Sequence, residues 1–316
     1  MEPWSGATHR SSSASAIEGH VKRALKRLRA SQPFNHLATG TVHALQTATG
    51  VHSELVVTHL HRIGMVRRKL PNGRTLRLWS RADDWVSNQV YWRGWSGYEP
   101  ETVPLFFRLA ARALVTFDVG AYVGFFSLVA AHANPKARVY AFEPMPTVYE
   151  RLQMNVRINH LSNVQCVNCA IGDTEGAAEF YSSGSEMQCS SSLSLRFMRG
   201  VETMYSFPVE VVKLDRFVRD NNLDRVDLMK IDTERTEPQV LSGMAETLAR
   251  DHPLIVCEVL KDRGAERQLE AILSPLGYRY YHLTPNGPVL REHVEGHPEW
   301  LNYLFTTLDS QEVARL

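Results

Sequence analysis

The sequence predicts an α/β fold, a mostly parallel sheet with helices on both faces, with a helical N-terminal extension and a β-hairpin ahead of it. Two observations predict it. Short apolar runs of strand length, at 114–119, 139–142, 163–171, 226–232 and 254–259, alternate with helical patterns. The first run also feeds an apolar helix through a glycine turn, Asp118-Val119-Gly120-Ala121-Tyr122-Val123-Gly124-Phe125. A strand passing into a helix through glycines is how many open α/β folds hold a nucleotide-like cofactor.

The elements follow in order. Residues 1–16 are Ser-rich and without periodicity, the pattern of a disordered tail. Ile17, Val21, Ala24, Leu25 and Leu28 then recur at helical spacing among Lys22, Arg23, Lys26, Arg27 and Arg29. This basic amphipathic helix could meet an anionic membrane surface or a partner, but packing on its own domain is the favoured reading. Residues 36–63 are expected to be helical, and His43, His52, His59 and His61 there form no compact metal motif. A hairpin turns at Asn72-Gly73, where positive φ is needed. Asp83-Asp84 caps a short helix through Trp92, and a loop at 94–101 leads to a helix at 102–111. Pro146 starts a helix to about His160. Strands are expected at 177–181 and 207–214, around a long polar segment at 184–200 that reads as a lid or binding loop or as a flexible linker. A short helix at 215–221, a helix from Pro238 through Arg250, and another at 266–276 cover the sheet. Strands at 278–283 and 302–308 close it, one of them antiparallel.

The glycine turn discriminates between cofactors. Gly120 permits a tight turn, Gly124 permits close helix–strand packing, and backbone N–H groups at the helix start are expected to face the ligand. Asp118 stands where a dinucleotide site has its first glycine. A carboxylate there repels a pyrophosphate and suits an ammonium group, which S-adenosylmethionine carries. The second strand ends in Glu143, whose carboxylate can accept both ribose hydroxyl protons.

Phe117-Asp118-Val119-Gly120-Ala121, Ala141-Phe142-Glu143-Pro144 and Leu228-Met229-Lys230-Ile231-Asp232-Thr233-Glu234 together resemble the FkbM-type family of S-adenosylmethionine-dependent methyltransferases. The resemblance spans about residues 64–316, after an extension at 1–63, with a cofactor-binding core at about 112–316. It implies the Rossmann-like class I methyltransferase fold and O-methylation of a hydroxyl on a sugar, glycan or secondary metabolite. It also implies that Tyr98 and Glu99 meet the methionine end of the cofactor, although helix capping by Glu99 and Glu101 reads equally well. By the same resemblance Asn168, Ala170 and Asp173 border the adenine. Two positions depart from the family pattern. Tyr122 replaces a small or polar residue, and Arg235 stands where glycine is most frequent.

Acids fall at the C-terminal ends of several predicted strands: Asp118, Glu143, Asp232, Glu234 and Glu258. Methyl transfer needs a nucleophile within about 3–3.5 Å of the methyl carbon, in line with the leaving sulfur. An alcohol must also lose its proton to a base in hydrogen-bond reach. Asp232 and Glu234 are the candidates for that base, with Glu258 third. Strand alternation puts Lys230 on the side of Asp232, where it could hold a carboxylate ionised. Oxygen ligands of this kind also suit magnesium, but nothing in the sequence requires a metal and none is assigned.

Composition sets the remaining bounds. The 316 residues are 44% hydrophobic, enough for a sizeable core, with no membrane-length run and no signal-peptide core. Four cysteines suggest a reducing, cytoplasmic setting; Cys166-x-x-Cys169 could form a redox or metal pair, but it sits in a strand-like run without a second ligand pair of zinc spacing, and the structural reading is preferred. The net charge of +1 is unevenly spread: residues 1–81 carry 13 Lys and Arg against 3 Asp and Glu, and the remainder 22 against 31. An acidic catalytic part disfavours a polyanion and suits a cationic cofactor. Nucleic-acid methylation, using the basic N-terminal part, therefore ranks below a small-molecule or glycan hydroxyl, and no Asn-Pro-Pro-Tyr motif supports it. A cofactor-binding module without turnover is the third reading, against which the acids at the strand ends argue.

Overall fold

In a computed structural model the described residues are 31–51, 53–182, 191–192, 205–261 and 264–316. The basic helix expected at 17–29, His52, and most of the polar segment at 184–200, Cys189 included, lie outside them. The strands are β1 (Ile63–Lys69), β2 (Thr75–Arg81), β3 (Val115–Val119), β4 (Arg138–Phe142), β5 (Val164–Val167), β6 (Ala170–Ile171), β7 (Gly176–Ser182), β8 (Ser191–Ser192), β9 (Tyr205–Val212), β10 (Leu228–Ile231), β11 (Leu254–Glu258), β12 (Arg279–Thr284), β13 (Gly287–Arg291) and β14 (Asn302–Thr306). The helices are α1 (Gln32–Thr49), α2 (Glu54–His59), α3 (Trp85–Arg93), α4 (Val103–Ala110), α5 (Phe125–Ala133), α6 (Pro146–Ile158), α7 (Leu214–Asp220), α8 (Glu237–Ser242), α9 (Ala245–Asp251), α10 (Glu266–Leu273) and α11 (Ser310–Val313).

The chain divides into two compact units: the residues up to Gly64 with Ser80–Ala82, and Met65–Trp79 with Asp83–Leu316. In the first, the buried Asn35 of α1 donates to the His61 carbonyl at 2.8 Å and accepts from the Ile63 N–H at 2.9 Å. The helix expected across 36–63 is broken, because Gly50 ends α1 with a left-handed cap at φ 69°.

The second unit is built on an eight-stranded sheet in the order β13-β12-β14-β11-β10-β3-β4-β5. The run from β11 through β5 is parallel, and β14 is antiparallel to both β11 and β12. Parallel strands covered on both faces bury every residue. All of β3 and β10 is buried accordingly, and so is the antiparallel β14 between its two neighbours. Chain order reverses between β3 and β10, and open α/β sheets bind ligands in the crevice at such a switch point. A second sheet, of four strands, β6-β9-β7-β8, packs Ala170, Phe180, Val209 and Val211 against Met145 and Val148.

Several expected elements are corrected. The strand expected at 163–171 is two strands in different sheets. Between them Asn168 turns the chain, donating from Nδ2 to the carbonyls of Glu143 at 2.8 Å and Pro144 at 3.1 Å. The helix expected from Pro238 to Arg250 breaks into α8 and α9 at Gly243, where an added Cβ would collide with the Gly172 carbonyl oxygen. The helix expected through residue 276 ends at Leu273 and tightens into a 3₁₀ turn. The strand expected at 278–283 pairs with a further antiparallel strand, β13, across the turn Pro285-Asn286-Gly287. That turn carries the same Asn-Gly signal as the first hairpin. No described helix is long and apolar enough to cross a membrane.

Candidate active site

The glycine turn closes at the switch point. Gly120 has φ 79°, and an added Cβ would collide with the carbonyl oxygen of Asp232. Glycine is therefore needed both for the left-handed backbone and for the approach of β10. Gly124, at φ 85°, lies behind the turn, where a Cβ would strike Leu152 of α6. The N–H groups of the turn itself are bonded within the fold. Gly120 and Ala121 donate to the Phe142 carbonyl at 3.1 and 2.9 Å, Gly124 to the Ala121 carbonyl at 2.7 Å, and Tyr122 to Glu143 Oε2 at 2.9 Å. With these donors satisfied internally, the turn is no phosphate cradle.

Asp118 is buried, and its Oδ2 accepts from the backbone N–H of Ser127 at 2.8 Å and from the Ser127 hydroxyl. It thereby ties β3 to the first turn of α5. Burial pushes its pKa up to about 6, against the Ser127 hydrogen bonds. Glu143 spends one oxygen on each of two backbone donors, Tyr122 N–H and Met145 N–H, the latter at 2.8 Å. Burial raises it to about 7 in spite of both bonds.

An open cleft runs along the strand ends. Of the residues singled out in the sequence, it gathers Tyr98, Gly120, Glu143, Ala170, Asp232, Glu234 and Glu258. Met145, Val148 and Phe180 give it an apolar wall. Asp118 and Ala121 line a small recess beside the turn, together with Lys230. Glu99 belongs to a neighbouring cleft. Asn168 and Asp173 are exposed and line none of these clefts, so the cleft does not gather them with the others.

The acids surround one buried cation. Lys230, in the middle of the sheet, is fully buried. Its Nζ donates to Asp232 Oδ2 and to Asn302 Oδ1, each at 3.2 Å, and lies 5.0 Å from the centre of the Phe126 ring. Asn302 in turn donates from Nδ2 to Glu99 Oε2 at 2.9 Å. Burial opposes the charge on Lys230, but the carboxylates of Asp232, Glu99 and Glu258 outweigh it and its pKa lies above the ordinary lysine value. Burial raises Glu99 to about 7, opposed by Lys230. Glu234 rises to about 8 through burial and the charges of Asp232 and Glu237. Burial, then Asp232 and Glu234, hold Glu258 well above the usual carboxylate range. One oxygen from each of Asp232, Glu234 and Glu258 lies within 4.8 Å of the others. Such oxygens suit a hard divalent cation, yet the ammonium of Lys230 already brings positive charge to this group.

The turn carrying these acids is held from below. Buried Glu237 accepts at Oε1 from Thr233 N–H, Thr233 Oγ1 and Arg235 N–H, at 3.0–3.1 Å. Glu234 and Arg235 both have positive φ, 53° and 88°. The departure at Arg235 thus keeps the backbone shape that glycine adopts without strain. Arg235→Gly is expected to cost no stability and to gain up to about 1 kcal/mol, since a left-handed non-glycine residue costs about 1–2 kcal/mol. Urea unfolding checks this, and a loss above about 1 kcal/mol sinks the strain argument. Asn302 and the apolar wall of Met145 and Phe180 escaped the sequence reading. Met145 alone carried a local signal, two residues after Glu143.

Strand order, switch-point cleft and internally satisfied glycine turn define a Rossmann-like fold of the class I methyltransferase type. A family model described as the methyltransferase FkbM domain matches residues 118–304. The chain belongs to the FkbM methyltransferase family and is an S-adenosylmethionine-dependent methyltransferase. Methyltransferase sdnD of Sordaria araneosa is 28% identical over 193 residues, covering 51% of this chain and 72% of its own. The 31-O-demethyl-FK506 methyltransferase FkbM of Streptomyces tacrolimicus is 27% identical over 191 residues, covering 52% and 72%. The 2-O-methyltransferase NoeI of Sinorhizobium fredii is 27% identical over 146 residues, covering 43% and 59%. Among solved structures, a methyltransferase FkbM from Methylobacillus flagellatus KT gives a TM-score of 0.41 at 16% identity, covering 61% of this chain and 43% of that one.

Proposed function

We propose that the chain O-methylates a hydroxyl of a small-molecule or glycan acceptor, with Asp232 as the general base and residues 64–316 as the methyltransferase domain. The observation that carries this is the placement of Asp232 at the switch point, in the open cleft along the strand ends and ion-paired to a buried lysine. Relatives named as O-methyltransferases support the acceptor class. Free Cys166, Cys169 and Cys257 suit a reducing, cytoplasmic setting. Burial pushes the first two to about 11 and about 12, which keeps them from thiolate chemistry.

S-adenosylmethionine supplies an activated methyl group on a sulfonium. Glu143 accepts hydrogen bonds from the ribose hydroxyls, while its backbone contacts hold it in place. Met145, Ala170 and Phe180 offer the apolar contact an adenine needs, in place of Asn168 and Asp173. Tyr98 closes the methionine end, and Asp118 acts by fixing the turn and α5. Asp232 takes the acceptor's proton as the oxygen attacks, and the Lys230 ammonium, 3.2 Å away, holds its carboxylate in place. Glu234 and Glu258 orient the hydroxyl. Labelled cofactor, a hydroxylated acceptor library and mass analysis of the products test the reading. Label appearing only on nitrogen or carbon would overturn it.

Cofactor affinity should depend on Glu143. Loss of its charge-assisted hydrogen bonds in Glu143→Ala is expected to weaken binding by about 1.5–3 kcal/mol. In the wild type, protonation of Glu143 as pH falls through about 7 removes the charged acceptor. Affinity should then fall by at most about tenfold per pH unit. Calorimetry between pH 5.5 and 8.5 checks both, and a folded Glu143→Gln variant with the wild-type pH slope would remove Glu143 from the ribose site.

A further inference from the structure

Asn302 opens β14 directly opposite Glu258 of β11 and is 2% exposed. The two ends of its amide have different partners. Oδ1 accepts from Lys230 Nζ at 3.2 Å, and Nδ2 donates to Glu99 Oε2 at 2.9 Å. An ammonium can only donate, so Lys230 fixes which way round the amide stands. Glu99 is held at its own end as well. Its backbone is left-handed, at φ 43°, and its carbonyl accepts from Thr102 N–H and Val103 N–H at 2.9 and 3.0 Å, at the start of α4. The adjoining Tyr98 packs its ring against Phe125 and Phe126, and Phe126 lies beneath Lys230 Nζ.

Lys230 lies within electrostatic reach of Asp232, Glu99 and Glu258, and its carboxylate bond goes to Asp232. The amide between Lys230 and Glu99 accounts for that choice. Its oxygen takes up a second donor of the ammonium, and its nitrogen takes up the Glu99 oxygen on the far side. Glu99 is thereby joined to Lys230 through a neutral group and not as an ion partner. We infer that Asn302 is a positioning residue for methyl transfer, which assigns the Lys230 ammonium to Asp232 by holding Glu99 apart from it. The inference rests on the proposed general-base role of Asp232 and adds the group that orients it. Aspartate has nearly the same size and shape as asparagine but lacks the donor. In Asn302→Asp a new carboxylate stands where Oδ1 was and competes with Asp232 for the ammonium, while Glu99 loses its hydrogen bond. Asp232 then loses the contact that holds it toward the cleft. A base out of hydrogen-bond reach gives no assistance, and a misplacement of about 1 Å can cost about a hundredfold in rate.

The test compares wild type, Asn302→Asp and Asn302→Ser as full chains. Steady-state methylation uses the first hydroxyl acceptor that the labelled-cofactor library yields, and calorimetry uses S-adenosylhomocysteine. In Asn302→Asp, kcat is expected to fall at least about tenfold, while the acceptor KM and the S-adenosylhomocysteine affinity move by less than about twofold. In the Asp232→Asn background, Asn302→Asp should change the residual rate by less than about twofold, because a residue that acts through Asp232 has nothing left to act on. A purely structural role gives neither result. A third measurement needs no acceptor. Urea unfolding of Lys230→Met, Asp232→Asn and the double variant gives the coupling between these two groups, which should drop by about half or more when the cycle is repeated in Asn302→Asp. If Asn302→Asp does not fold, Asn302→Ser, which removes the amide without adding a charge, carries the same comparisons. Wild-type kcat in the folded variants overturns the assignment, as does an effect additive with Asp232→Asn or an unchanged coupling. Those outcomes leave Asp232→Asn slow and the general base standing. Wild-type turnover in Asp232→Asn itself overturns the base and the positioning role together.

Discussion

Asp232→Asn is expected to cut turnover by about a hundredfold to ten-thousandfold, the usual worth of general-base assistance, while cofactor affinity barely moves. The amide keeps the size of the carboxylate and an oxygen for the ammonium of Lys230, so the 3.2 Å contact can persist. It cannot take a proton from a hydroxyl. The backbone of residue 232 is fixed independently, because its N–H donates to the Val119 carbonyl at 3.0 Å and its own carbonyl abuts Gly120. The substitution thus tests the proton transfer apart from the shape of the turn. Glu234→Gln is the companion, since an oxygen of Glu234 lies within 4.8 Å of one on Asp232. Single-turnover rates with an acceptor that the enzyme methylates and calorimetric cofactor affinities separate the cases. Normal turnover in Asp232→Asn beside a dead Glu234→Gln moves the base to Glu234. Parallel loss of rate and cofactor affinity in both would make these acids cofactor ligands instead.

Much of this arrangement is legible in the sequence, for a physical reason. Parallel strands buried on both faces read as continuous apolar runs, and an acid closing such a run stands out, as at Asp118, Glu143, Asp232 and Glu258. The partners of those acids were less legible. Whether Asp118 meets a ligand or Ser127 depends on a side-chain rotation, and whether the turn's N–H groups are free depends on the Phe142 carbonyl of another strand. Asn302 reaches Glu99 across 203 residues, from an antiparallel strand inserted beside β11. Nothing local marks it. The left-handed backbone at Arg235 was hidden because the residue gives the opposite signal from its conformation.

Lys230→Met tests the electrostatic centre of the fold. The thioether fills nearly the same space, but Asp232, Glu99 and Glu258 lose the one cation that the sheet buries among them. Removing one partner of a buried ion pair typically costs about 3–5 kcal/mol, because the other charge stays behind. That loss is expected at pH 8, and its pH dependence identifies the cause. With Lys230 in place Glu99 titrates at about 7 and Glu234 at about 8, both already above their unfolded values, and Lys230 is a lowering influence on each. Without it both move further up. An acid whose folded pKa exceeds its unfolded value binds more protons when folded, so stability falls as pH rises from the unfolded value toward the folded one. In the variant this decline is steeper and runs to higher pH. Toward acid pH, where Glu99 and Glu234 are protonated in the folded protein, the same substitution removes a buried charge that then has fewer counterions. The deficit should therefore shrink steadily from pH 8 to pH 5 and can change sign below that. Urea midpoints for wild type and Lys230→Met across this range are the measurement. A deficit of equal size at every pH would mean that packing, not charge, is what Lys230 contributes to the sheet.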